Sequence, residues 1–335
     1  MHKLMGPLTR ACPARFLRIL STMRILITEF MDLPAVARLQ AAHDVTYQPD
    51  LVDRPADLLA AAQNCDVLIV RNRTQVRGEL LQALHHCRIV GRLGVGLDNI
   101  DVASCQARGI TVIPATGANA LSVAEYVIGT AMLLLRGAYG SSQLVAQGHW
   151  PRNALSQGRE LAGSTLGLLG FGSIGQLTAK LARALGVHVV AYDPALAADS
   201  TVYAEHGVTP LTFNAVLQQS DVVSLHMPLI DSTRNLLDAQ QLARFKPGAI
   251  LINTARGGIV DEAALAHALR SGQLGGAAVD VFAQEPLPSS AHWLDCPNLI
   301  LTPHIGGVTV ESNERVSGLI ADRVLQALAS STTAA

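Results

Sequence analysis

The nine residues Gly167-Leu-Leu-Gly-Phe-Gly-Ser-Ile-Gly175 decide the fold of this chain. They continue a short apolar run from Thr165 that predicts a buried strand, and they end in the spacing Gly170-x-Gly172-x-x-Gly175. Apolar residues then recur every three to four positions between Leu177 and Leu185, which predicts a helix. A strand, a glycine turn and a helix in this order are typical of a dinucleotide-binding unit, whose helix N-terminus faces the phosphates.

The glycine spacing and a following acid together indicate which dinucleotide is bound. Gly170 permits the tight turn, Gly172 lets the backbone approach a pyrophosphate, and Gly175 lets the helix pack closely on the strand. A second predicted strand, 187–192, ends in Asp193, whose carboxylate can accept both ribose hydroxyls. No Lys or Arg follows before position 205 to receive a 2′-phosphate. NAD is therefore predicted over NADP, and an ordinary structural glycine turn is the alternative.

Composition and charge restrict the class of protein. The chain has 335 residues, of which 49% are hydrophobic and 4% aromatic, and its formal net charge is -1. This length allows two domains with sizeable cores. The charge balance predicts neither a nucleic-acid-binding nor an anionic-membrane surface. No apolar run reaches the length of a membrane span, so no membrane association is expected.

The cysteines and the N-terminal segment bear on the cellular compartment. The five cysteines are scattered, odd in number and without a CxxC pair, which predicts a reduced, cytoplasmic protein. No metal is expected, because the adjacent residues of His85-His86-Cys87 cannot all face one ion. Residues 1–22 contain no acid, and their apolar piece is too short for a signal sequence. We expect a disordered extension or a start codon assigned too early, with an organellar targeting peptide as the alternative.

From residue 24 onwards, strand and helix patterns alternate along the chain. Strands are predicted at 25–28, 45–47, 66–70, 88–93, 111–113, 165–169, 187–192, 222–226, 249–253, 277–281 and 299–302. Helices are predicted at 33–42, 55–62, 78–83, 99–108, 123–139, 211–218, 239–244, 262–271 and 311–329, besides the one after the glycine turn. Repeated βα units predict an α/β fold of mainly parallel sheets with helices on both faces. The helix at 123–139 is apolar on nearly every side, so we expect it to be buried all round, between domains or in a subunit interface.

Three further stretches follow predicted strands, at the sheet edge where open α/β folds build their sites. They are Asn253–Asp261, Val279–Pro286 and Thr302–Gly307, which contain Arg256, Glu285 and His304 in that order. Beside a nicotinamide this set suggests hydride transfer to or from a 2-hydroxy acid. Arg256 would hold the carboxylate and the developing carbonyl, and His304 would take the hydroxyl proton. Glu285 would bind the other imidazole nitrogen and increase the ring's affinity for a proton.

These motifs resemble those of the D-isomer-specific 2-hydroxyacid dehydrogenase family, in its D-3-phosphoglycerate dehydrogenase-like branch. The resemblance covers roughly residues 23–329. Its motifs are Gly91–Asp101, Ser122–Glu125, the glycine loop with Tyr192-Asp193-Pro194, His226-Met-Pro-Leu229, Asn253–Asp261, Glu285-Pro286 and Thr302–Gly307. In the family the Arg, Glu and His motifs are the catalytic set, which implies the same roles for Arg256, Glu285 and His304.

The resemblance also implies two Rossmann-like or flavodoxin-like doubly wound parallel-sheet domains with the active site in the cleft between them. A substrate-binding domain would comprise 23–117 completed by 307–331, and the NAD-binding Rossmann domain would comprise 118–306. The helix at 123–139 matches the family's dimer element, so a homodimer is expected. The implied cofactor-binding residues are Gly170, Gly172, Ser173, Ile174, Gly175, Asp193, Pro194, His226, Met227, Pro228, Thr233, Thr254, Ala255, Asp280 and Gly306.

Substrate selection is expected in the first domain. Arg71 and Arg73 follow the strand at 66–70 and would project on the same side if the chain stays extended. Arg71-Asn72-Arg73-Thr74 is similar to a stretch of phosphoglycerate dehydrogenases in which the first Arg contacts the anionic end of the substrate. The resemblance further implies that the backbone of Gly94-Val95-Gly96 receives the carboxylate, with Asn119 near the site. The alternative is a surface pair of arginines that form ion pairs.

The sequence thus predicts an NAD-dependent 2-hydroxyacid dehydrogenase whose substrate has a second anionic group, as 3-phosphoglycerate has. Sulfolactate dehydrogenases of the family are similar in the arginine stretch, so sulfolactate is a rival substrate. A glyoxylate or hydroxypyruvate reductase is another alternative. A non-catalytic NADH-sensing module like the transcriptional corepressors that share this fold is the non-enzyme alternative.

Overall fold

The structure, a computed structural model, describes residues 22–290 and 292–331. The expectation of a disordered extension falls on residues 1–21, outside the described residues. The chain divides into two compact units. The first runs to Gly91 and includes Asn99–Ile113 and the chain from Ala321 onwards, whereas the second comprises Arg92–Asp98 and Pro114–Ile320.

The boundaries between these units differ from the predicted domain limits. The second unit begins at Pro114 rather than at 118, and it also includes the loop Arg92–Asp98. Its end lies at Ile320, inside the C-terminal helix Val310–Ser331, rather than at 306. The first half of that helix therefore packs with the second unit.

The first unit contains a five-stranded sheet of order β2-β1-β3-β4-β5. Its elements are β1 (Arg24–Ile27), α1 (Leu33–Gln40), β2 (Asp44–Tyr47), α2 (Pro55–Ala62), β3 (Val67–Val70), α3 (Gly78–Ala83), β4 (Ile89–Arg92), α4 (Val102–Ala107) and β5 (Thr111–Pro114), with a 3-10 turn at Leu51–Asp53. β1 pairs in parallel with both β2 and β3. Helices α2 and α3 begin and end where the sequence predicts.

The second unit contains a seven-stranded sheet of order β12-β11-β10-β9-β6-β7-β8. Its elements are α5 (Ala120–Arg136), α6 (Ser142–Ala146), β6 (Thr165–Leu169), α7 (Ser173–Ala184), β7 (His188–Tyr192), α8 (Thr201–Glu205), β8 (Thr209–Pro210), α9 (Phe213–Gln219), β9 (Val222–Leu225), α10 (Ala239–Leu242), β10 (Ala249–Asn253), α11 (Glu262–Arg270), β11 (Leu274–Val279), β12 (Leu299–Leu301) and α12 (Val310–Ser331). Helix α6, helix α8 and strand β8 were not predicted. Two α/β units with parallel strands confirm the predicted fold class.

The order of strands in the second sheet determines where a ligand can bind. β6 lies between β7 and β9, so the chain runs outwards to one edge through β7 and then returns to build the other half from β9. Strands β9 and β10 are buried along their whole length. Open α/β sheets bind ligands beyond the carboxyl ends of the strands at such a reversal of order. Here those ends carry the glycine loop after β6 and His226 after β9.

Helix α5 differs from its prediction in its end and in its burial. It ends at Arg136 because Gly137 adopts a left-handed conformation, with φ of 63°. One face packs in a cluster with Phe171 and α7. Leu121, Met132 and Leu133 on the other face remain about 40% exposed, at 39%, 39% and 41%. The prediction that α5 is buried on all sides is therefore wrong for the single chain, because only one face of α5 packs against the rest of its unit.

Among the described residues no single helix is long and apolar enough to cross a membrane. The adjacent segments Ala120–Arg136 and Tyr139–Ala146 reach the required length and composition only as a pair bent by 70°.

Candidate active site

Arg256 is presented by a turn that Asn253 organises at the end of β10. The Asn253 side chain is 2% exposed. Its Oδ1 accepts from the Ala255 N–H at 3.1 Å, and its Nδ2 donates to the Arg256 carbonyl at 3.1 Å. Gly257 then passes so close to the Phe282 carbonyl that a Cβ atom would overlap it. Asn253 and Gly257 thus fix where the Arg256 side chain leaves the sheet.

The guanidinium of Arg256 is held at two of its nitrogens. Nε donates to Asp98 Oδ2 at 2.8 Å, and Nη1 donates to the Ala255 carbonyl at 2.6 Å. Nη2 lies where a side chain at Gly96 would be, because a Cβ atom there would overlap it. The structure therefore brings Arg256 against the loop 94–96, which the sequence predicts as a substrate-binding segment. A guanidinium and backbone N–H groups side by side are suited to a carboxylate.

His304 and Glu285 form the expected hydrogen-bonded pair. His304 Nδ1 lies 2.6 Å from Glu285 Oε2, and Glu285 Oε1 accepts from the Phe282 N–H at 2.9 Å. Since a carboxylate only accepts hydrogen bonds, Nδ1 carries the proton and Nε2 of a neutral ring has the free lone pair. The His304 side chain is 41% exposed. Nε2 can therefore exchange a proton with a substrate hydroxyl.

The pKa of Glu285 is lowered from its ordinary value. Burial acts to raise this pKa, but the hydrogen bonds from His304 and the Phe282 N–H and the charges of His304 and Arg256 lower it more. The carboxylate consequently stays ionised at neutral pH, where it stabilises an imidazolium on His304.

A buried carboxylate, Asp280, shapes the turn that carries His304. Its Oδ1 accepts from Thr302 Oγ1 at 2.6 Å and from the Ile305 N–H at 2.8 Å, while Oδ2 accepts from the Gly306 N–H at 2.8 Å. The Asp280 carbonyl accepts from the His304 N–H at 2.8 Å. These contacts hold His304 at φ of 56°, a conformation that non-glycine residues seldom adopt. Asp280, predicted as a cofactor residue, thus has a structural role in the His304 turn.

The glycine loop after β6 has the predicted form. Gly170 has φ of 99°, and a Cβ atom there would lie 2.6 Å from the His226 carbonyl oxygen. A Cβ atom at Gly175 would lie 2.6 Å from the Gly170 carbonyl oxygen. At Gly172, the N-cap of α7, a Cβ atom would have no described heavy atom within 4 Å. Gly170 and Gly175 are therefore required by the fold, whereas Gly172 leaves open space before the N-terminus of α7.

Asp193 joins the end of β7 to the glycine loop. Its Oδ2 accepts from the Phe171 N–H at 2.7 Å, and its Oδ1 accepts from the Ala195 N–H at 2.8 Å. A carboxylate has about four lone-pair positions, so each oxygen can accept one more hydrogen bond. These contacts fix the orientation of Asp193 and leave capacity for hydroxyl donors.

Three predicted site residues have buried polar atoms without a hydrogen-bond partner among the described residues. They are Asn119 Oδ1, His226 Nε2 and Thr254 Oγ1. Burial lowers the pKa of His226 to about 4, so the ring is neutral at physiological pH. Buried polar atoms in folded proteins normally have partners, and a missing ligand is one reason for an exception. All three lie in the second unit, and they fit polar groups of a dinucleotide and an acid substrate.

The remaining predicted cofactor residues have mainly internal contacts. Met227 and Ala255 are each 8% exposed and belong to the hydrophobic core. Thr233 Oγ1 accepts from the Ile230 N–H and donates to the Pro228 carbonyl, both at 2.8 Å. Ser173 and Ile174 form the first turn of α7. Cofactor contacts by these residues stay predictions.

In the first unit, a buried carboxylate organises the loop Arg71–Thr74. Glu29, which is 4% exposed, accepts from the N–H groups of Arg71 and Thr74 at 2.9 Å each and from that of Arg73 at 3.1 Å. Asn99 Nδ2 donates to the carbonyls of Arg71 at 3.1 Å and Thr74 at 2.7 Å. The extended conformation considered for this stretch is wrong, because these contacts bend the chain through positions 72–74.

The two arginines of this loop have different surroundings. Arg73 forms an ion pair with Asp53. The guanidinium of Arg71 lies over the Phe30 ring, 5.7 Å from its centroid. Burial lowers the pKa of Arg71, and the charge of Glu29 opposes that change. Asn72 between them is exposed. The projection of both arginines towards one ligand stays a prediction.

Sequence reasoning assigned no role to five residues that position these groups: Glu29, Asp53, Asp98, Asn99 and Asn253, the last of which begins the motif Asn253–Asp261. Asp98 and Asn99 lie within the motif Gly91–Asp101, so their position was visible but their contacts were not. Glu29 directly follows a predicted buried strand, which is a weak signal for an acid at a sheet edge.

Comparisons with known proteins identify the family of this chain. A sequence profile of the "D-isomer specific 2-hydroxyacid dehydrogenase, NAD binding domain" matches residues 128–306. The chain is 51% identical over 309 residues to an (S)-sulfolactate dehydrogenase of Chromohalobacter salexigens, covering 91% of this chain and 98% of that protein. It is 39% identical to a D-3-phosphoglycerate dehydrogenase of Mycobacterium leprae, covering 91% of this chain but only 57% of that protein.

A solved structure of similar fold is that of the TT0316 protein from Thermus thermophilus. Its TM-score is 0.83 at 32% sequence identity, and the match covers 92% of this chain and 97% of that one. Fold, site and sequence together define an NAD-dependent 2-hydroxyacid dehydrogenase. The chain belongs to the D-isomer specific 2-hydroxyacid dehydrogenase family.

Proposed function

We propose that this protein interconverts a 2-hydroxy acid with a second anionic group and its 2-oxo acid, with (S)-sulfolactate as the foremost candidate. The observation that carries the proposal is the Glu285–His304 pair, with Nδ1 and Oε2 2.6 Å apart, in the unit that contains the NAD-binding domain. The identity of 51% to an (S)-sulfolactate dehydrogenase supports the choice of substrate.

The residues of the second unit have complementary roles in this reaction. The substrate carboxylate binds Arg256 and the backbone of Gly94–Gly96, which orients the carbon that bears the hydroxyl. His304 Nε2 takes the hydroxyl proton as the C–H bond breaks and the carbonyl forms, and it returns that proton in reduction. Glu285 stabilises the imidazolium in between. Bound NAD supplies the acceptor for the hydride.

The cofactor is proposed to lie along the glycine loop. The N–H groups of the first turn of α7 face the pyrophosphate across Gly172, and Asp193 accepts from the ribose hydroxyls. Asp193 is already held by the Phe171 and Ala195 N–H groups, so its charge has a fixed position. That charge would repel a 2′-phosphate, which supports NAD rather than NADP as the preferred cofactor.

We further propose a homodimer in a reducing, cytoplasmic compartment. The exposed face of α5 continues into a segment with further exposed apolar residues, among them Leu144 at 45% and Trp150 at 77% exposure. Exposed apolar residues concentrated in one segment are typical of an interface between subunits. The four cysteines in the described part of the chain are free, which suits a reducing compartment.

A panel of 2-oxo acids tests the function. NADH oxidation is measured with sulfopyruvate, phosphohydroxypyruvate, oxaloacetate, glyoxylate and pyruvate at matched concentrations. We expect sulfopyruvate to give the highest kcat/KM. A higher value for phosphohydroxypyruvate would favour the phosphoglycerate alternative, and equal or better rates with glyoxylate or pyruvate would indicate a generalist reductase. NADH binding without oxidation by any of these acids would support the corepressor-like alternative.

A further inference from the structure

Three contacts hold the peptide group between Phe282 and Ala283, in the loop that follows β11. Its carbonyl lies against Gly257, where a Cβ atom would overlap it. Its N–H, which belongs to Ala283, donates to Glu262 Oε1 at 2.7 Å. The Phe282 ring packs edge-on against the buried ring of Trp293, with the two centroids 6.4 Å apart. The peptide group is therefore fixed at its carbonyl, at its N–H and through the adjoining side chain.

The same short segment orients the Glu285–His304 pair. The Phe282 N–H donates to Glu285 Oε1 at 2.9 Å, and Oε2 of that carboxylate lies 2.6 Å from His304 Nδ1. A shift of the peptide group that Glu262 holds would move Phe282, and with it the donor that orients Glu285. A continuous series of hydrogen bonds and covalent links thus joins Glu262 to the imidazole.

Glu262 is placed to act as a fixed acceptor. It lies in the first turn of α11, where the unpaired N–H groups of a helix stabilise a negative charge, and its side chain is 18% exposed. Its Oε2 lies 3.6 Å from His292 Nε2. At the other end of α11, Arg270 donates to the carbonyls of His292 at 2.6 Å and Leu294 at 3.1 Å. Both ends of the helix contact the loop, and of these two residues Glu262 is the one that reaches the segment orienting Glu285.

We propose that Glu262 is a positioning residue, which holds Glu285 through the Phe282–Ala283 segment and so keeps the His304 ring in its orientation for proton transfer. The inference rests on the proposed function, in which His304 exchanges a proton with the substrate. A general base must lie within hydrogen-bond reach of the proton that it takes, and a displacement of about 1 Å can cost about 10²-fold in rate. Loss of Glu262 is therefore expected to lower kcat and to leave NADH binding nearly unchanged.

The first test compares two substitutions of Glu262 with the most efficient acid of the panel, which we expect to be sulfopyruvate. Glu262→Ala removes the acceptor of the Ala283 N–H, and we expect kcat to fall about tenfold or more. Glu262→Gln keeps an oxygen acceptor there and should retain kcat within about threefold. For both proteins, fluorescence titration should give an NADH dissociation constant within about threefold of that of the unmodified protein.

Arg270→Ala is the matched control, because it removes contacts of the same helix with the same loop. It should change kcat less than about twofold. An unchanged kcat in Glu262→Ala, or equal losses in Glu262→Ala and Arg270→Ala, would overturn the proposal.

The second test asks whether Glu262 acts through Glu285. Glu262→Ala is combined with Glu285→Ala, which removes the carboxylate that Glu262 is proposed to hold. Residues that act in one series of contacts have non-additive effects, whereas a general loss of structure lowers kcat by the same factor in either background. We expect Glu262→Ala to lower kcat less than about twofold once the Glu285 carboxylate is absent. An undiminished loss in that background would contradict the positioning role.

A further variant keeps the test decisive if Glu262→Ala does not fold. Glu262→Asp retains the charge at the start of α11 but withdraws the acceptor from the Ala283 N–H by the length of a methylene group. It takes the place of Glu262→Ala in the same cycle, with the same expected loss of kcat and the same dependence on Glu285.

The outcomes separate this inference from the proposed function. Reduction of an acid by the unmodified protein, with additive effects of the substitutions at Glu262 and Glu285, contradicts the positioning role alone. Absence of reduction of every acid contradicts the proposed function, and the ¹⁵N chemical shifts of the His304 ring then decide the positioning. These shifts report the hydrogen bond at Nδ1, so they should change in Glu262→Ala and not in Arg270→Ala. Unchanged shifts in Glu262→Ala would overturn the inference.

Discussion

The hydrogen bond between Glu285 and His304 determines which nitrogen of the imidazole is available for the proposed proton transfer. Because Nδ1 lies 2.6 Å from the carboxylate, Nε2 is the nitrogen available to a substrate hydroxyl. Asp98 likewise accepts from Nε of Arg256 at 2.8 Å. Both reactive side chains are thus oriented by a neighbouring acid, and this orientation exists before a substrate binds.

Replacement of His304 by Ala is expected to lower kcat by about 10² to 10⁴. NADH affinity should change less than about threefold, because the ring acts on the substrate proton rather than on cofactor binding. Steady-state kinetics and fluorescence titration with NADH measure the two effects. His85→Ala, at an exposed histidine of the first unit, is the control. Unchanged turnover in His304→Ala would contradict the proton-transfer role.

Replacement of Asp193 by Ala is expected to narrow the preference for NAD over NADP by about tenfold or more. The carboxylate offers acceptors to the ribose hydroxyls and repels a 2′-phosphate, so its loss weakens NAD binding and removes the repulsion. The ratio of kcat/KM for the two cofactors checks this. Asp193→Glu keeps the charge and should keep most of the preference. If Asp193→Ala leaves the ratio where it was, another residue selects the cofactor.

At the scale of elements, one buried acid links the beginnings of strands β6 and β9 in the second sheet. Asp221, immediately before β9, is 4% exposed. It accepts from Arg159 Nη2 and Lys246 Nζ at 2.7 Å each, and from the Thr165 N–H at the start of β6 at 2.9 Å. Burial acts to raise the pKa of Asp221, but these three donors lower it from 3.8 to about 2. The carboxylate therefore stabilises the fold in its ionised form.

Asp221→Asn is expected to reduce the free energy of unfolding at neutral pH by about 2 kcal/mol, since each pKa unit corresponds to about 1.4 kcal/mol. Because the pKa in the folded state is depressed, this contribution is fully present above about pH 4 and is lost as the pH falls towards 2. Urea unfolding at several pH values should show that the free energies of unfolding of the unmodified protein and of Asp221→Asn become equal as the pH falls through this range. Asp231→Asn, at an exposed acid of the same unit, should show no such difference. A difference in free energy of unfolding between Asp221→Asn and the unmodified protein that persists near pH 2 would contradict the electrostatic explanation.

At the scale of the whole molecule, the second unit exposes the apolar face of α5. Leu133 is 41% exposed there, and Met132 beside it is 39% exposed. Apolar side chains of this kind favour burial by about 25 cal/mol per Å². Assembly of two copies through α5 would bury it.

Leu133→Glu is expected to convert a dimer into a monomer, because a charge would be buried in the interface. Analytical ultracentrifugation measures the change. Leu294→Glu is the control, since Leu294 is 64% exposed elsewhere in the same unit and should leave the dimer intact. A monomer in the unmodified protein, or a dimer that survives Leu133→Glu, would contradict the interface.

The sequence by itself determined the fold class, the family, the NAD-binding unit and the stretches that carry Arg256, Glu285 and His304. Glycine spacing, apolar periodicity and the residues at strand ends are local patterns, so they can be read without coordinates. The tertiary structure decided which residues hold these groups in place. Asp98 and Arg256 lie 158 positions apart, and Glu29 contacts a loop 42 to 45 positions away. No local pattern encodes such pairings, because they depend on which sheet edges and loops the folded backbone brings together. The same holds for the exposed face of α5: its apolar sequence predicted burial on every side, and only packing showed which side its own unit leaves uncovered.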